Sequence, residues 1–180
     1  MIDETKMALA VDWLGQSSLV GWWASEKLNG CRAVWDGENF WTREGRMIDA
    51  PDWFKHGLPK IRFDGEIHAG RGIGHGNSNT AYKIAMTAVV HGGKWFLEGG
   101  GSEPIRFTAF DLLDRTVTFH PPTTDTDGAM LRHIKIESPK HLVEYMMELR
   151  RVGAEGAMFR NPNEIGYHAG RTGGLLRWKF

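Results

Sequence analysis

Lys27, in the stretch Lys27-Leu28-Asn29-Gly30-Cys31-Arg32, is the residue of this chain best placed to act as a nucleophile. A lysine amine that has shed its proton can attack an electrophilic centre and hold the product covalently. Carboxylates stand beside glycines in Asp64-Gly65-Glu66 and in Ala154-Glu155-Gly156, where the missing side chain lets another group approach the backbone. Near the end of the chain Arg177 and Lys179 are two residues apart, the spacing that puts both on one face of a strand. A lysine nucleophile, carboxylates for a hard cation and a cationic strand suit phosphoryl or nucleotidyl transfer. Singly, each has an ordinary reading: Lys-x-Asn-Gly as a solvated hairpin tip, Asp-Gly and Glu-Gly as turn dipeptides, a charged terminal strand as a guard against edge pairing.

The elements that must position these residues are mainly strands. Residues 21–26 and 31–35, rich in tryptophan, read as a strand pair with Lys27 at their turn, and 40–43 returns as a third strand after the Asp36-Gly37-Glu38-Asn39 turn, which makes an antiparallel meander. Met7, Leu9, Ala10, Trp13 and Leu14 suit a short amphipathic helix, and residues 50–54 begin one helical turn that Gly57 and Pro59 stop. A strand over 61–68 should kink at Gly65. The glycines at 70, 72, 74 and 76 lack a Walker lysine and read as a flexible loop, and 98–102 is a second soft region. Residues 80–90 read as a helix with Asn79 as N-cap and Gly92-Gly93 as its stop. Residues 105–113 form a buried strand, 121–125 a loop, and 133–137 another strand. The clearest helix runs over 139–152, with Ser138 as cap, Pro139 at the first position, Leu142, Tyr145, Met146 and Leu149 on one face and Gly153 at the end. Short strands at 157–160 and 175–180 close the chain. Strands outnumber helices without alternating with them, so the fold class is α+β with mostly antiparallel sheets flanked by helices.

At 180 residues the chain suits one domain with a real core. Its 22 basic and 22 acidic residues cancel, so a nucleic-acid partner would have to be held by local clusters such as Arg43 with Arg46, Lys60 with Arg62, or Arg171 with Arg177 and Lys179. Each cluster also reads as a solvated face. No apolar run approaches the roughly 18 residues of a membrane helix, and the N-terminus has no apolar core of a signal peptide. With Cys31 the one cysteine, no internal disulfide can form and the cytoplasm is the expected compartment. The histidines show no zinc spacing, and a scattered one such as His68 or His133 reads as an ordinary surface residue; no Gly-x-Ser-x-Gly elbow exists, and Cys31 reads as a small buried hydrophobe.

Taken in order, Lys27-Leu28-Asn29-Gly30-Cys31-Arg32, Arg43, Phe63-Asp64-Gly65-Glu66, the run Phe107 to Leu113, Glu155-Gly156-Ala157-Met158 and Leu176-Arg177-Trp178-Lys179 resemble motifs I, III, IIIa, IV and V of the covalent nucleotidyltransferases. The chain looks most like the adenylation domain of small bacterial and phage ATP-dependent DNA ligases, through Gly-Trp-Trp-x-Ser-Glu-Lys and Ala-Pro-x-Trp-Phe as well, from about Trp22 to Lys179. The resemblance implies an ATP-grasp-like nucleotidyltransferase fold spanning 1–180 as a single adenylation domain, with the family's OB-fold absent from this sequence. It implies that Lys27 attacks the α-phosphate of ATP and holds AMP, that Ser25, Arg32, Arg43, Glu66, Phe110 and Glu155 bind the nucleotide, that Phe110 stacks on adenine and Glu66 meets the ribose. It further implies that Glu155 with Glu66 holds Mg²⁺, and that Arg177 and Lys179 offset charge on the α-phosphate in the transition state. The implied partner is nicked double-stranded DNA in repair, replication or recombination, with a separate OB-fold domain or partner as a further expectation, no membrane, and a monomeric chain. Two positions depart from the pattern: Asn29 stands where the family has aspartate, and Arg177 where it has the first lysine of motif V. An RNA-end ligase, or a nucleotide- or nucleic-acid-binding module without catalysis, stays open as an alternative.

Overall fold

The computed structural model describes residues 7–70, 78–92, 95, 105–121 and 129–180. In chain order its elements are β1 (Ala8–Asp12), β2 (Trp23–Glu26), β3 (Gly30–Trp35), β4 (Phe40–Thr42), β5 (Met47–Ile48), α1 (Asp52–Lys55), β6 (Phe63–His68), α2 (Ser78–His91), β7 (Arg106–Leu112), β8 (His133–Lys135), α3 (Pro139–Arg151), β9 (Gly156–Arg160) and β10 (Gly170–Lys179). They make two five-stranded sheets, one in the order β1-β10-β9-β2-β8 and the other β5-β4-β3-β6-β7. Every pairing is antiparallel except β1 with β10. The class is α+β, as the balance of strands and helices implies.

Each sheet turns its apolar residues outward onto helices. In the first sheet Ala24, Ala157, Phe159 and Leu176 form a buried cluster with Leu149 of α3, against which Leu142, Tyr145 and Met146 pack. In the second, Ala33, Trp35, Phe40, Phe63, Ile67, Phe107 and Ala109 cluster with Ala88 of α2, and Phe54 of α1 packs on them. Strand side chains alternate faces, so the intervening residues, Ser25, Met158 and Arg160 in one sheet and Arg32 and Glu66 in the other, are delivered to the opposite side. There they line a common cavity.

Several local expectations hold in detail. Ser138 Oγ accepts from the His141 amide at 3.1 Å, Pro139 opens α3, and Gly153 follows it at φ +74°. The register of β6 against β7 slips between Asp64 and Gly65, the irregularity expected at that glycine. Asp36 Oδ1 accepts from the amides of Glu38 and Asn39, closing the predicted turn.

Three readings are corrected. Residues 8–12 are a strand and not a helix, because their partners lie at the far end of the chain, Ala8 opposite Gly170 and Asp12 opposite Arg177. Strands β2 and β3 are not a hairpin: they belong to different sheets, and residues 27–29 carry the chain from one to the other. Helix α2 starts at Ser78, so Asn79 lies within it and does not precede it. The glycines at 72, 74, 76 and 93, the 98–102 segment and the loop at 122–125 fall outside the described residues. Among the described residues no helix is long and apolar enough to cross a membrane.

Candidate active site

Antiparallel pairing explains how residues far apart in sequence meet at Lys27. The end of β2 lies beside the start of β9, Glu26 opposite Ala157, and the end of β10 lies beside the same start, Lys179 opposite Gly156. Lys27 just past β2, Glu155 just before β9 and Lys179 in the last turn of pairing therefore converge. The Lys27 amide donates to Gly156 O at 2.9 Å, and the Phe180 amide to Glu155 O at 3.1 Å. The side chains complete the junction: Lys27 Nζ lies 2.6 Å from Glu155 Oε2, and Lys179 Nζ 3.1 Å from Oε1. One carboxylate thus holds two ammonium groups. Gly156 is needed for this closeness, since a Cβ there would lie 1.9 Å from Trp178 O.

The second sheet supplies the facing wall. Gly30, the first residue of β3, donates its amide to Glu66 Oε1 at 2.8 Å, and Arg32 stands opposite Glu66 in the register. Burial raises the Glu66 carboxyl to about 7, against the pull of Lys27, the Gly30 amide and Arg32, with Glu155 adding to the rise. Arg32 makes a bidentate pair with the fully buried Asp64, Nε to Oδ1 at 2.9 Å and Nη2 to Oδ2. Its guanidinium also lies 5.5 Å from the centre of the Phe110 ring. Tyr167 donates to Asp64 Oδ2 at 2.5 Å and accepts the Ala8 amide at 2.8 Å, so its hydroxyl ties β1 of one sheet to β6 of the other. Behind them Asp111 is paired with Arg115 at 3.0 Å and Arg160 at 2.7 Å, which leaves neither buried aspartate uncompensated.

Between the walls lies a cavity of about 310 Å³, lined by Ser25, Lys27, Arg32, Arg43, Glu66, Phe110, Arg171 and Arg177 among the residues singled out from sequence. Glu155 and Lys179 are not in its lining and reach it through Lys27. Arg177 is held by Asp12 at 2.6 Å and Arg43 by Glu44 at 3.7 Å, both pairs exposed. Trp23, Glu26, Leu131, Met158 and Arg160 also line the cavity, without a role expected of them from sequence, and so does His133, whose reading as an ordinary surface residue is corrected because its pairing with Ser25 turns it inward. For Met158 and Arg160 a signal exists, since they alternate with the buried Ala157 and Phe159. For His133 and Tyr167 there is none in the local sequence. Among the described residues no cluster of three or more His, Cys, Asp or Glu could cage a metal. The two carboxylates around Lys27 suit instead an ion held through one or two protein oxygens plus phosphate, the habit of Mg²⁺.

An apolar ring, buried carboxylates and a lysine held between two such sheets make a site chemically suited to nucleotidyl transfer. Solved structures share the architecture. A Lig E DNA ligase is 28% identical with TM-score 0.73, over 97% of this chain and 68% of that one. Chlorella virus DNA ligase-adenylate is 22% identical with TM-score 0.73, over 97% of this chain and 67% of that one. The ATP-dependent DNA ligase of bacteriophage T7 in complex with ATP is 15% identical with TM-score 0.59, over 97% and 68%. No protein-family model matches the chain. The particular resemblance is to DNA ligases: a DNA ligase of Haemophilus influenzae is 27% identical over 169 residues, 88% of this chain. The chain spans 58% of that relative's length.

Proposed function

We propose that this domain loads AMP from ATP onto Lys27 and passes it to a 5′-phosphate, where a 3′-hydroxyl displaces AMP and seals a nick in double-stranded DNA. The observation that carries this reading is Lys27 Nζ, held 2.6 Å from Glu155 on the wall of a nucleotide-sized cavity that also presents Phe110, Glu66 and Arg32. Pockets of about 300 Å³ and upward accept small organic ligands.

Lys27 attacks the α-phosphorus as a free amine, and pyrophosphate leaves. Glu155 Oε2 is the acceptor within reach for the departing ammonium proton. Phe110 offers its ring to the adenine, worth about 1 kcal/mol beyond its area. Burial pushes the Glu66 carboxyl up to about 7, which brings its protonated form within reach near neutral pH, and in that form it can donate to as well as accept from a ribose hydroxyl. Arg32 is fixed by Asp64 for contact with the sugar and phosphate side, while Arg43 and Arg177 sit in exposed ion pairs that exchange readily for phosphate. Lys179 stays beside Lys27 through their shared carboxylate, where it can offset charge gathering on the α-phosphate. Mg²⁺ bound by Glu155 and Glu66 would neutralise the phosphates and polarise the phosphoryl group.

The reading is tested by sealing. With ATP and Mg²⁺ the domain is expected to join a nicked DNA duplex bearing a 5′-phosphate, and to join a pre-adenylated nick without ATP. Failure on both substrates contradicts it, and preferential sealing of a nicked RNA duplex would move the assignment to RNA ends.

A further inference from the structure

On β8 and β2, His133 stands directly opposite Ser25 in the register, and both line the cavity. Opposed residues of an antiparallel pair send their side chains to the same face, so the two polar groups form one edge of the nucleotide site. His133 Nδ1 lies 2.9 Å from Leu131 O. A carbonyl oxygen only accepts, so Nδ1 carries the proton of the neutral ring, and Nε2 is left with its lone pair. Burial, with the charge of Arg160, pushes His133 down to about 4, so the ring stays in this form at any ordinary pH. Among the described residues no hydrogen bond engages Nε2 of His133 or the hydroxyl of Ser25. The edge of Phe119 meets the His133 ring with centroids 5.0 Å apart, which holds the ring in place.

Resting on the nucleotide reading of this cavity, we propose that His133 reads the purine: its Nε2 accepts a hydrogen bond from a 6-amino group and thereby selects adenine over 6-oxo purines. An oxo oxygen in that place sets its lone pair against that of Nε2, which has no proton to offer it. Ser25 can serve either base, because a hydroxyl donates and accepts by rotation. The selectivity therefore falls on the fixed tautomer of His133. A site built to accept one proton discriminates strongly against an analogue that lacks it.

The test compares ATP with ITP, which differ at the purine 6-position, by titration calorimetry on the whole chain and on His133→Gln. The wild type is expected to bind ATP about 10- to 100-fold more tightly than ITP. In His133→Gln the side-chain amide can turn its NH₂ toward O6, so the ratio is expected to fall to within about threefold. A ratio that His133→Gln leaves unchanged overturns the proposal. A role in packing alone would lower the thermal midpoint and leave the ratio as it was, which also counts against it. Intact-protein mass run alongside separates this from the covalent chemistry. A Lys27 adduct with an unmoved ratio overturns the role of His133 alone, whereas a ratio that moves as expected without any adduct supports His133 and overturns lysyl-AMP formation.

Discussion

Glu66 concentrates the tension between stability and chemistry in this site. Its folded-state carboxyl titrates near 7 against an ordinary value of 4.5, because burial disfavours the anion more than Lys27, the Gly30 amide and Arg32 favour it. Between those two values the folded chain keeps a proton that the unfolded chain has released, so stability falls as pH rises through the window. Glu66→Gln keeps the oxygen that receives the Gly30 amide and removes the titration. The variant is expected to exceed the wild type in stability above about pH 7 by on the order of 1–3 kcal/mol, with the difference closing below about pH 4.5. Urea titrations across that range check this, and a pH-independent difference would contradict it. The same variant should load nucleotide more slowly, since it loses a negative charge near Lys27 and alters a ribose contact.

At the scale of elements, the site is a product of where strands start and stop. Lys27, Glu155 and Lys179 belong to three strand ends that antiparallel pairing stacks at one border of a sheet. Gly156 is the point of tightest approach, with Trp178 C 2.9 Å and Lys179 Cα 3.0 Å from where a Cβ would be. Both are backbone atoms that cannot swing away. Gly156→Ala is therefore expected to cost about 1–3 kcal/mol in a denaturant titration and to part Lys179 from Glu155, slowing adenylation more than binding. A variant as stable and as fast as the wild type would show that the approach is not needed.

The same geometry shows what the sequence makes legible. Glu66, Glu155 and the Arg177–Lys179 pair announce themselves through adjacent glycines or period-two spacing, and the cap and stop of α3 are local chemistry. The crossing at residues 27–29 is not visible, because a three-residue link between two apolar strands reads locally as a hairpin, and only the separate partners, β9 for β2 and β6 for β3, pull them into different sheets. Strand β1 is likewise hidden. Its apolar spacing allows a helix, and its hydrogen bonds are supplied by β10, more than 150 residues away by their numbers, Ala8 opposite Gly170. His133 and Tyr167 carry no local mark, since their roles come from what the fold sets opposite them.

For the molecule as a whole, the cavity exists because two sheets, each with its own helix-backed core, are held face to face. The Tyr167 hydroxyl is one strut of that arrangement, joining Ala8 to Asp64 and through Asp64 to Arg32. Tyr167→Phe leaves a buried carboxylate oxygen with one partner fewer and is expected to cost about 1–3 kcal/mol. It should also weaken ATP binding, because Arg32 loses part of its bracing, and a change in stability with unaltered ATP affinity would separate the strut from the site.

The claim on which the rest depends is covalent loading of Lys27. The most direct measurement is the intact mass of the protein after incubation with ATP and Mg²⁺, for the wild type and for Lys27→Ala. The account predicts a gain of one AMP on the wild type, released by hydroxylamine or acid as a phosphoramidate should be, and no gain on Lys27→Ala. An adduct that persists in Lys27→Ala, or its absence from a wild-type protein that binds ATP, would contradict it.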